Sequence, residues 1–380
     1  MNTVDLIHNS KIIVIKVGTA LLIEDDGSGV RQDWIDAFAK DVKVLVDQGK
    51  QILVVSSGAV AMGRAALNIS LDARPSSIPL EKKQAASAVG QFYVFNGYFK
   101  SFTPHNITLA QVLLTMSETE NRRMHLNARA TLNELMSQGI IPIVNENDTI
   151  STGELRFGDN DRLAARVAQM IEADTVLLLS TIDGFYTANP DEVENAEHIP
   201  FIDKIDDGHI GMAGEAIPGL STGGMKSKVE AAIAANSAGI DLIVADGRLP
   251  HALERISSDK NTRTSVFVGQ KGNRNARKKW ITAHLRPKGR VILDSGAEKA
   301  LKDGKSLLPV GVKAVEGVFE RGDVVEIYGQ GGKKLAMGVT AYSAQDAVKI
   351  MGKQSHETSE LLGYSGRAEL IHRNDMVLQD

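Results

Sequence analysis

The sequence predicts an α/β fold, in which a mostly parallel open sheet is sandwiched between helix layers, followed by a small, mostly β domain. Two patterns support this. From residue 11 to about residue 270, short apolar runs alternate with segments of helical period. From residue 289 onward, shorter strand-like runs are separated by glycine turns. A chain of 380 residues is also long enough for two or three domains.

The strand candidates of the first region are β-branched or leucine-rich and apolar on both faces, which is typical of strands buried between two helix layers. They are KIIVIKV, QILVVSS, IIPIVNE, TVLLLST, DLIVAD and SVFVG. Helical stretches lie between them, at residues 33–48, 82–102, 121–138, 162–172 and 228–238. The alternation predicts a parallel sheet covered by helices on both sides.

The second region has four strand candidates, RVILD, VVEIY, LAMGVTAY and AELIH, and brief helices around 298–302 and 345–351. The spacing of Ser343 and Asp346 fits a cap for the second of these helices. We therefore expect an α/β domain at residues 10–270, a linker at 271–288 and a mostly β domain at 289–380.

The composition excludes several classes of site. The chain has no cysteine, which rules out disulfides, thiolate zinc sites, iron–sulfur clusters and cysteine nucleophiles. No run approaches the ~18 apolar residues of a membrane span, so we expect no membrane association and a cytoplasmic protein. The net charge of −4 divides into −10 for residues 1–270, +7 for the linker and −1 for residues 289–380. The whole-chain charge gives no indication of a nucleic-acid partner.

Small or polar residues follow four of the predicted strands. The segments are Lys16 to Thr19, Ser56 to Ala59, Asn145 to Asp148, and Ser180 with Thr181. Ligands of open α/β sheets bind at the carboxyl ends of the strands. Four such ends together predict a binding site at that edge.

Two helix starts add to this prediction. The segment RFGDND precedes an amphipathic helix, and GLSTGGMKSK leads into an alanine-rich one. Glycines allow backbone N–H groups to approach an anion closely, and a helix N-terminus favours negative charge, so the second segment predicts a phosphate cradle. It is not a Walker A motif, because Met225 follows Gly224 where lysine would be required. The chain also lacks a strand followed by G-x-G-x-x-G and a protein-kinase H-R-D sequence.

The ordered set VIKVGT, VVSSGA, IVNEND, FGDNDRLAA and STGGMKSK resembles the amino acid kinase family, and in particular its members that phosphorylate glutamate. The resemblance covers nearly the whole chain, because many of these enzymes carry a C-terminal PUA domain. It implies the amino acid kinase fold and the conversion of ATP and L-glutamate to ADP and L-glutamyl 5-phosphate. This is the first step of proline biosynthesis.

The resemblance also implies roles for individual residues. Lys16 and Lys228 would contact the transferring phosphoryl group, and Asp161 would hold these lysines or the Mg²⁺-bound nucleotide in place. The residues matching the glutamate site are Ser57, Asp148 and Asn160. Those matching the ATP site are Lys16, Ser180, Thr181, Thr222, Gly223, Gly224, Met225, Lys226, Ser227 and Lys228. No residue is assigned as a metal ligand.

The chemistry of the implied reaction suits these residues. A γ-carboxylate has a pKa near ~4.3, so the nucleophile is already an anion at neutral pH and needs no general base. The reaction requires in-line positioning and neutralisation of the phosphoryl charge. We therefore expect Asp161 to organise the site rather than to abstract a proton.

Three alternatives remain at this stage. One is a related kinase of the same fold acting on acetylglutamate, aspartate, carbamate or a nucleoside monophosphate. Another is an RNA-binding protein that uses the PUA-like domain, although the −1 charge of that domain provides no electrostatic footprint for RNA. A basic linker docked on the acidic first domain explains the +7 segment more simply. The third is a catalytically silent regulatory homologue, against which Lys16, Asp161 and Lys228 argue together.

Further expectations concern partners. We expect a homo-oligomer, feedback inhibition by L-proline, and handover of the labile product to glutamyl phosphate reductase. Four phenylalanines recur at helical spacing and predict either core packing or a subunit interface: Phe92, Phe95, Phe99 and Phe102.

Overall fold

The computed structural model describes residues 2–70, 77–151, 160–214, 224–270 and 287–379. The chain divides into two compact units, Met1–Lys271 and Gly272–Asp380. The predicted linker lies almost entirely at residues 271–286, outside the described residues, so its docking stays a prediction.

The strands described in the first unit are β1 (Ile12–Val17), β2 (Gln51–Ser56), β3 (Leu109–Leu114), β4 (Ile141–Glu146), β5 (Thr175–Ser180), β6 (Phe185–Tyr186), β7 (His198–Ile199), β8 (Phe201–Ile202), β9 (Asp241–Asp246) and β10 (Thr264–Phe267). Eight of them form one sheet in the order β3-β4-β2-β1-β5-β9-β10-β8, and β6 and β7 form a separate pair. Among the described residues, every pairing in the large sheet is parallel except β9 with β10, which confirms the predicted, mostly parallel sheet.

Helices cover both faces of this sheet. They are α1 (Thr3–Asn9), α2 (Thr19–Leu22), α3 (Gln32–Asp47), α4 (Ala59–Ala66), α5 (Leu80–Phe102), α6 (Met116–Glu120), α7 (Arg122–Ser137), α8 (Asn160–Ile171), α9 (Asp207–Met212), α10 (Met225–Ser237) and α11 (Ala252–Ser258). Successive side chains of a strand point to opposite faces. Ile13 and Ile15 of β1 accordingly pack in the core with α3 and α5, whereas Val14 packs in the core with α8 and α10.

The strands described in the second unit are β11 (Gly289–Leu293), β12 (Val312–Gly317), β13 (Val324–Tyr328), β14 (Lys334–Val339) and β15 (Met376–Leu378), and its described helices are α12 (Ser295–Lys302), α13 (Ala344–Ile350) and α14 (Thr358–Leu362). The five strands form one sheet in the order β12-β11-β13-β14-β15. It has its own hydrophobic core, which includes Val291, Ile327 and Ile350. The Ser343 side chain caps α13 by accepting a hydrogen bond from the backbone N–H of Asp346, as predicted.

One predicted strand is wrong, and six strands among the described residues were not predicted: β3, β6, β7, β8, β12 and β15. The AELIH segment forms no strand, because only Ile371 makes an isolated bridge, to Leu307. Leu370 and Ile371 are buried, so an apolar run here marks the core of an irregular segment. Four of the missed strands, β6, β7, β8 and β15, have only two or three residues, too few to give a strand pattern. The other two, β3 and β12, have the sequences LAQVLL and VKAVEG, whose leucine, alanine, glutamine, lysine and glutamate also suit helices.

The four phenylalanines of α5 have different environments. Phe102 is fully buried in the core, whereas Phe92 and Phe99 are 68% and 52% exposed. Tyr93 is also exposed. Core packing therefore explains Phe102 but not the outward aromatic side chains. No helix among the described residues has the length and apolar character needed to cross a membrane.

Two glycines allow α4 and α5 to cross with their backbones in contact. A Cβ atom on Gly63 would lie 1.7 Å from the carbonyl oxygen of Ala86, and one on Gly90 would lie 1.8 Å from that of Ala59. Neither neighbour is a flexible side chain that could move aside. The crossing therefore fixes α5 against the helix that begins directly after β2.

We predict that Gly63→Ala lowers the free energy of unfolding of the first unit by ~1–3 kcal/mol, because the backbones of α4 and α5 must separate. Thermal unfolding measures the change. Gly211→Ala in α9 is the control, since no described atom outside its chain neighbours and its own helix backbone lies within 4 Å of that added Cβ. Equal losses in the two variants would contradict the close crossing.

Candidate functional site

Four neighbouring strand ends form the candidate site. In the sheet, β4, β2, β1 and β5 are consecutive and parallel, so their carboxyl ends lie at one edge. Lys16 lies near the end of β1, Ser57 follows β2, and Ser180 ends β5. The structure thus brings the predicted polar segments to a common edge.

A buried ion cluster joins three elements at this edge. The Nζ atom of Lys16 lies 2.6 Å from Oδ1 of Asp161, and the Nζ atom of Lys228 lies 2.9 Å from Oδ2. The Ser227 hydroxyl lies 3.2 Å from the same Oδ2. The Asp161 side chain is 0% exposed, and those of Lys16 and Lys228 are 9% and 5% exposed. The carboxylate therefore connects β1, α8 and the first turn of α10.

The charges of this cluster determine the protonation state of Asp161. Burial on its own raises the pKa of a carboxyl group, but the charges of Lys16 and Lys228 and their hydrogen bonds outweigh it. The pKa of Asp161 therefore lies below its ordinary value, and the group is ionised at neutral pH. Two ammonium groups and one carboxylate leave these three side chains with a net positive charge, which suits an anionic ligand.

Asn160 connects the ion cluster to the ends of two further strands. It is the first residue of α8 and precedes Asp161. Its Nδ2 atom lies 2.6 Å from the carbonyl oxygen of Ser56, 3.0 Å from the Ser57 hydroxyl and 2.8 Å from Oδ1 of Asn145. One helix start therefore places Asn160 against Ser57 and Asp161 against the lysines.

Asp148 lies on the loop that follows β4, three residues beyond Asn145. It is 8% exposed. Its Oδ2 atom accepts a 2.8 Å hydrogen bond from the Ser87 hydroxyl of α5. A buried carboxylate at this edge is suited to binding a cationic group of a ligand.

The remaining predicted residues that the structure describes lie at the carboxyl end of β5 and at the start of α10. Ser180 accepts a 2.8 Å hydrogen bond at its carbonyl oxygen from the N–H of Gly247, and Thr181 next to it is exposed. Gly224 caps α10, and Met225, Lys226 and Ser227 begin its first turn. Thr222 and Gly223 lie outside the described residues, as do residues 156–159 of the segment before α8.

Glycine leaves space beside the first lysine. A Cβ atom on Gly18 would lie 3.6 Å from the carbonyl oxygen of Leu179 and 4.0 Å from Nζ of Lys16. A larger side chain at this position would therefore extend toward the ammonium group and the end of β5.

The sequence patterns missed two polar residues of the site. Asn145 belongs to a strand end that we singled out, but its contact with Asn160 depends on how α8 meets the sheet. Ser87 lies in the segment QAASAVGQ, where nothing marks it as different from its alanine neighbours. Only the packing of α5 brings it to Asp148.

Comparisons with known proteins agree with this architecture. The model of the amino acid kinase family matches residues 11–246, and that of the PUA domain matches residues 289–362. The chain is 46% identical over 373 residues to the glutamate 5-kinase of Brucella anthropi, covering 98% of this chain and 97% of that protein. It is 47% identical over 372 residues to the glutamate 5-kinase of Cereibacter sphaeroides, covering 98% of each. The solved UMP kinase of Ureaplasma parvum shares the fold, with a TM-score of 0.50 and 14% identity over 68% of this chain and 99% of that one.

We predict that Asp161→Asn destabilises the first unit by roughly 3–5 kcal/mol at neutral pH, because it leaves two buried ammonium groups facing a neutral amide. Since the pKa of Asp161 is lowered in the folded state, its contribution is present above the unfolded pKa of about 3.9 and is lost as the pH falls through the folded pKa. The difference between the two proteins should therefore shrink in acid.

Urea unfolding at a series of pH values measures this difference. Asp47→Asn is the control, because Asp47 forms an exposed pair with Lys43 and should contribute little at any pH. Equal stability of Asp161→Asn and the unmodified protein at pH 7 would contradict the role of the buried cluster.

Proposed function

The chain belongs to the amino acid kinase family, and on that premise we propose that it transfers the γ-phosphoryl group of ATP to the γ-carboxylate of L-glutamate. The products are ADP and L-glutamyl 5-phosphate, and the reaction begins proline biosynthesis. The structural observation that supports this most directly is the convergence of Lys16 and Lys228 on the buried Asp161 at the carboxyl edge of the sheet.

The two lysines neutralise the phosphoryl group during transfer. They come from different elements, β1 and α10, so their ammonium groups approach from two sides. Asp161 orients both through its two carboxylate oxygens and stays ionised throughout. Because the attacking carboxylate of the substrate is itself an anion at neutral pH, the site requires no base.

Ser57, Asp148 and Asn160 form the proposed glutamate pocket. The Asp148 carboxylate suits the α-ammonium group of the amino acid, and the Ser57 hydroxyl and nearby N–H groups suit its α-carboxylate. N-acetylation removes the positive charge from the substrate nitrogen and leaves the buried Asp148 without a cationic partner. The proposed pocket therefore predicts a preference for glutamate over acetylglutamate.

The nucleotide binds along the ends of β5 and the start of α10 in this proposal. Ser180 and Thr181 line one side, and Gly224 with the first turn of α10 supplies the N-terminal end of a helix, which favours phosphate. Thr222 and Gly223 remain in the proposed ATP site on the strength of the sequence resemblance. Both oxygens of Asp161 already contact lysines, so we propose that Mg²⁺ enters bound to the phosphates rather than on this carboxylate. When bound, Mg²⁺ offsets the negative charge of the triphosphate.

We also propose that the protein is cytoplasmic, is a homo-oligomer and is inhibited by L-proline. The exposed aromatic side chains of Phe92, Tyr93 and Phe99 on α5 support a subunit interface. An acyl phosphate hydrolyses readily, which supports direct handover of the product to glutamyl phosphate reductase.

An acceptor assay tests the proposed activity. With ATP and Mg²⁺, we expect ADP formation with L-glutamate and none above background with N-acetyl-L-glutamate, L-aspartate or UMP. Hydroxylamine should trap the acyl phosphate as a hydroxamate, and L-proline should reduce the rate. Turnover of N-acetyl-L-glutamate without turnover of L-glutamate would contradict the proposal.

Substitution of one lysine tests the proposed catalytic role. We expect Lys228→Met to lower kcat by ~10²–10³, because it removes one electrostatic contact to the transferring group. Lys40→Met is the matched control, since Lys40 is exposed on α3 and belongs to none of the polar segments of the site. Steady-state kinetics at saturating ATP and glutamate measure both. An unchanged kcat in Lys228→Met would exclude the role.

A further inference from the structure

One face of α5 holds the loop that follows β4. Gln84, Ser87 and Gln91 are spaced by three and four residues, which places them on the same side of the helix. We call these three side chains the polar stripe. The stripe is unusual because the helix segment around it is otherwise made mainly of alanine, valine and glycine.

Each member of the polar stripe contacts a different residue of the segment from the end of β4 into the loop that follows it. Nε2 of Gln91 lies 3.4 Å from the carbonyl oxygen of Glu146, at the end of β4. The Ser87 hydroxyl lies 2.8 Å from Oδ2 of Asp148, and Nε2 of Gln84 lies 3.1 Å from the carbonyl oxygen of Ser151. The helix therefore contacts the end of β4 and two points in the described part of the loop, which runs to residue 151.

We propose that Ser87 is a positioning residue for substrate recognition, which orients the Asp148 carboxylate toward the α-ammonium group of glutamate. This inference rests on the proposed role of Asp148 in the glutamate pocket. Ser87 itself does not touch the substrate and acts through Asp148. Among the stripe's three described contacts, only that of Ser87 reaches a side chain rather than a backbone carbonyl.

The burial of Ser87 supports this role. Its side chain is 0% exposed, and a buried hydroxyl is costly unless it is hydrogen-bonded. Alanine would suit the helix better at this position, because serine has the lower helix propensity. A hydrogen bond to an ionised carboxylate is stronger than one between neutral groups. A carboxylate partner therefore offsets the cost of burying the Ser87 hydroxyl better than a neutral partner would.

The position of α5 is fixed independently of the loop. Gly90 lies between Ser87 and Gln91, and it packs directly on the backbone of α4. The donor is therefore carried on a helix that cannot shift without breaking this contact. Asp148 lies on a loop, and a rigid partner reduces the orientations that its carboxylate can adopt.

Kinetics of Ser87→Ala in the full-length protein test the proposal. We expect KM for L-glutamate to rise by about tenfold or more, from the loss of a hydrogen bond to a charged group. KM for ATP should not change, and kcat should change by less than about twofold. A fall in kcat with unchanged KM for glutamate would overturn the proposal.

Ser101→Ala is the matched control for a merely structural effect. Ser101 lies on the same helix, is 3% exposed and donates a hydrogen bond to the Asp36 carboxylate, away from the loop after β4. We expect it to lower the melting temperature about as much as Ser87→Ala while leaving KM for glutamate unchanged. Equal increases of KM in both variants would show a general loss of helix packing and overturn the proposal.

A double-mutant cycle with Asp148→Asn separates this proposal from the proposed function. Glutamate binding is measured by calorimetry, so that an inactive variant still gives a result. If Ser87 acts through Asp148, Ser87→Ala should weaken binding in the parent and add little in Asp148→Asn. If the losses of binding free energy in the two single variants add fully in the double variant, the inference about Ser87 is overturned and the role of Asp148 stands. Unchanged binding in Asp148→Asn would instead overturn the role of Asp148, and the inference with it.

Discussion

The buried contact of Asp161 with Lys16 and Lys228 is the interaction on which the site depends. Removing a carboxylate from water is costly, and only close opposite charges and hydrogen bonds offset that cost. Asp161 meets this requirement with an ammonium group on each oxygen. The contact fixes the start of α8 and the first turn of α10 against the end of β1. It keeps the lysines oriented and the carboxylate ionised, so electrostatic positioning is available before any ligand binds.

The placement of the other residues follows from that constraint. Since Asn160 precedes Asp161, fixing the start of α8 also brings Asn160 to Ser57 and Asn145 at the ends of β2 and β4. The proposed glutamate pocket and the proposed phosphoryl site thus share one helix start. On the opposite face of the sheet from α8, helix α5 packs on α4 through glycine and contacts the loop of Asp148. The sheet edge provides the positions, and the helices orient the side chains.

Much of this arrangement could be predicted from the sequence, because it depends on local patterns. Apolar runs without a polar face indicated strands buried on both sides, and parallel strands put Lys16, Ser57, Asp148 and Ser180 at one edge. Ser87 could not be predicted, since its role depends on the crossing of α4 and α5. The β3 strand was missed because LAQVLL suits a helix as well as a strand. AELIH was misassigned because burial of Leu370 and Ile371 produces an apolar run without a strand.

We propose that Asp161 stays ionised and orients the lysines, and that no side chain removes a proton during phosphoryl transfer. The pH dependence of kcat at saturating ATP, Mg²⁺ and L-glutamate tests this most directly. We predict a nearly level kcat between about pH 6.5 and about pH 8.5, because the pKa of Asp161 is lowered and the substrate carboxylate is already ionised. A one-proton rise of kcat within that range, absent in Asp161→Asn, would contradict the claim.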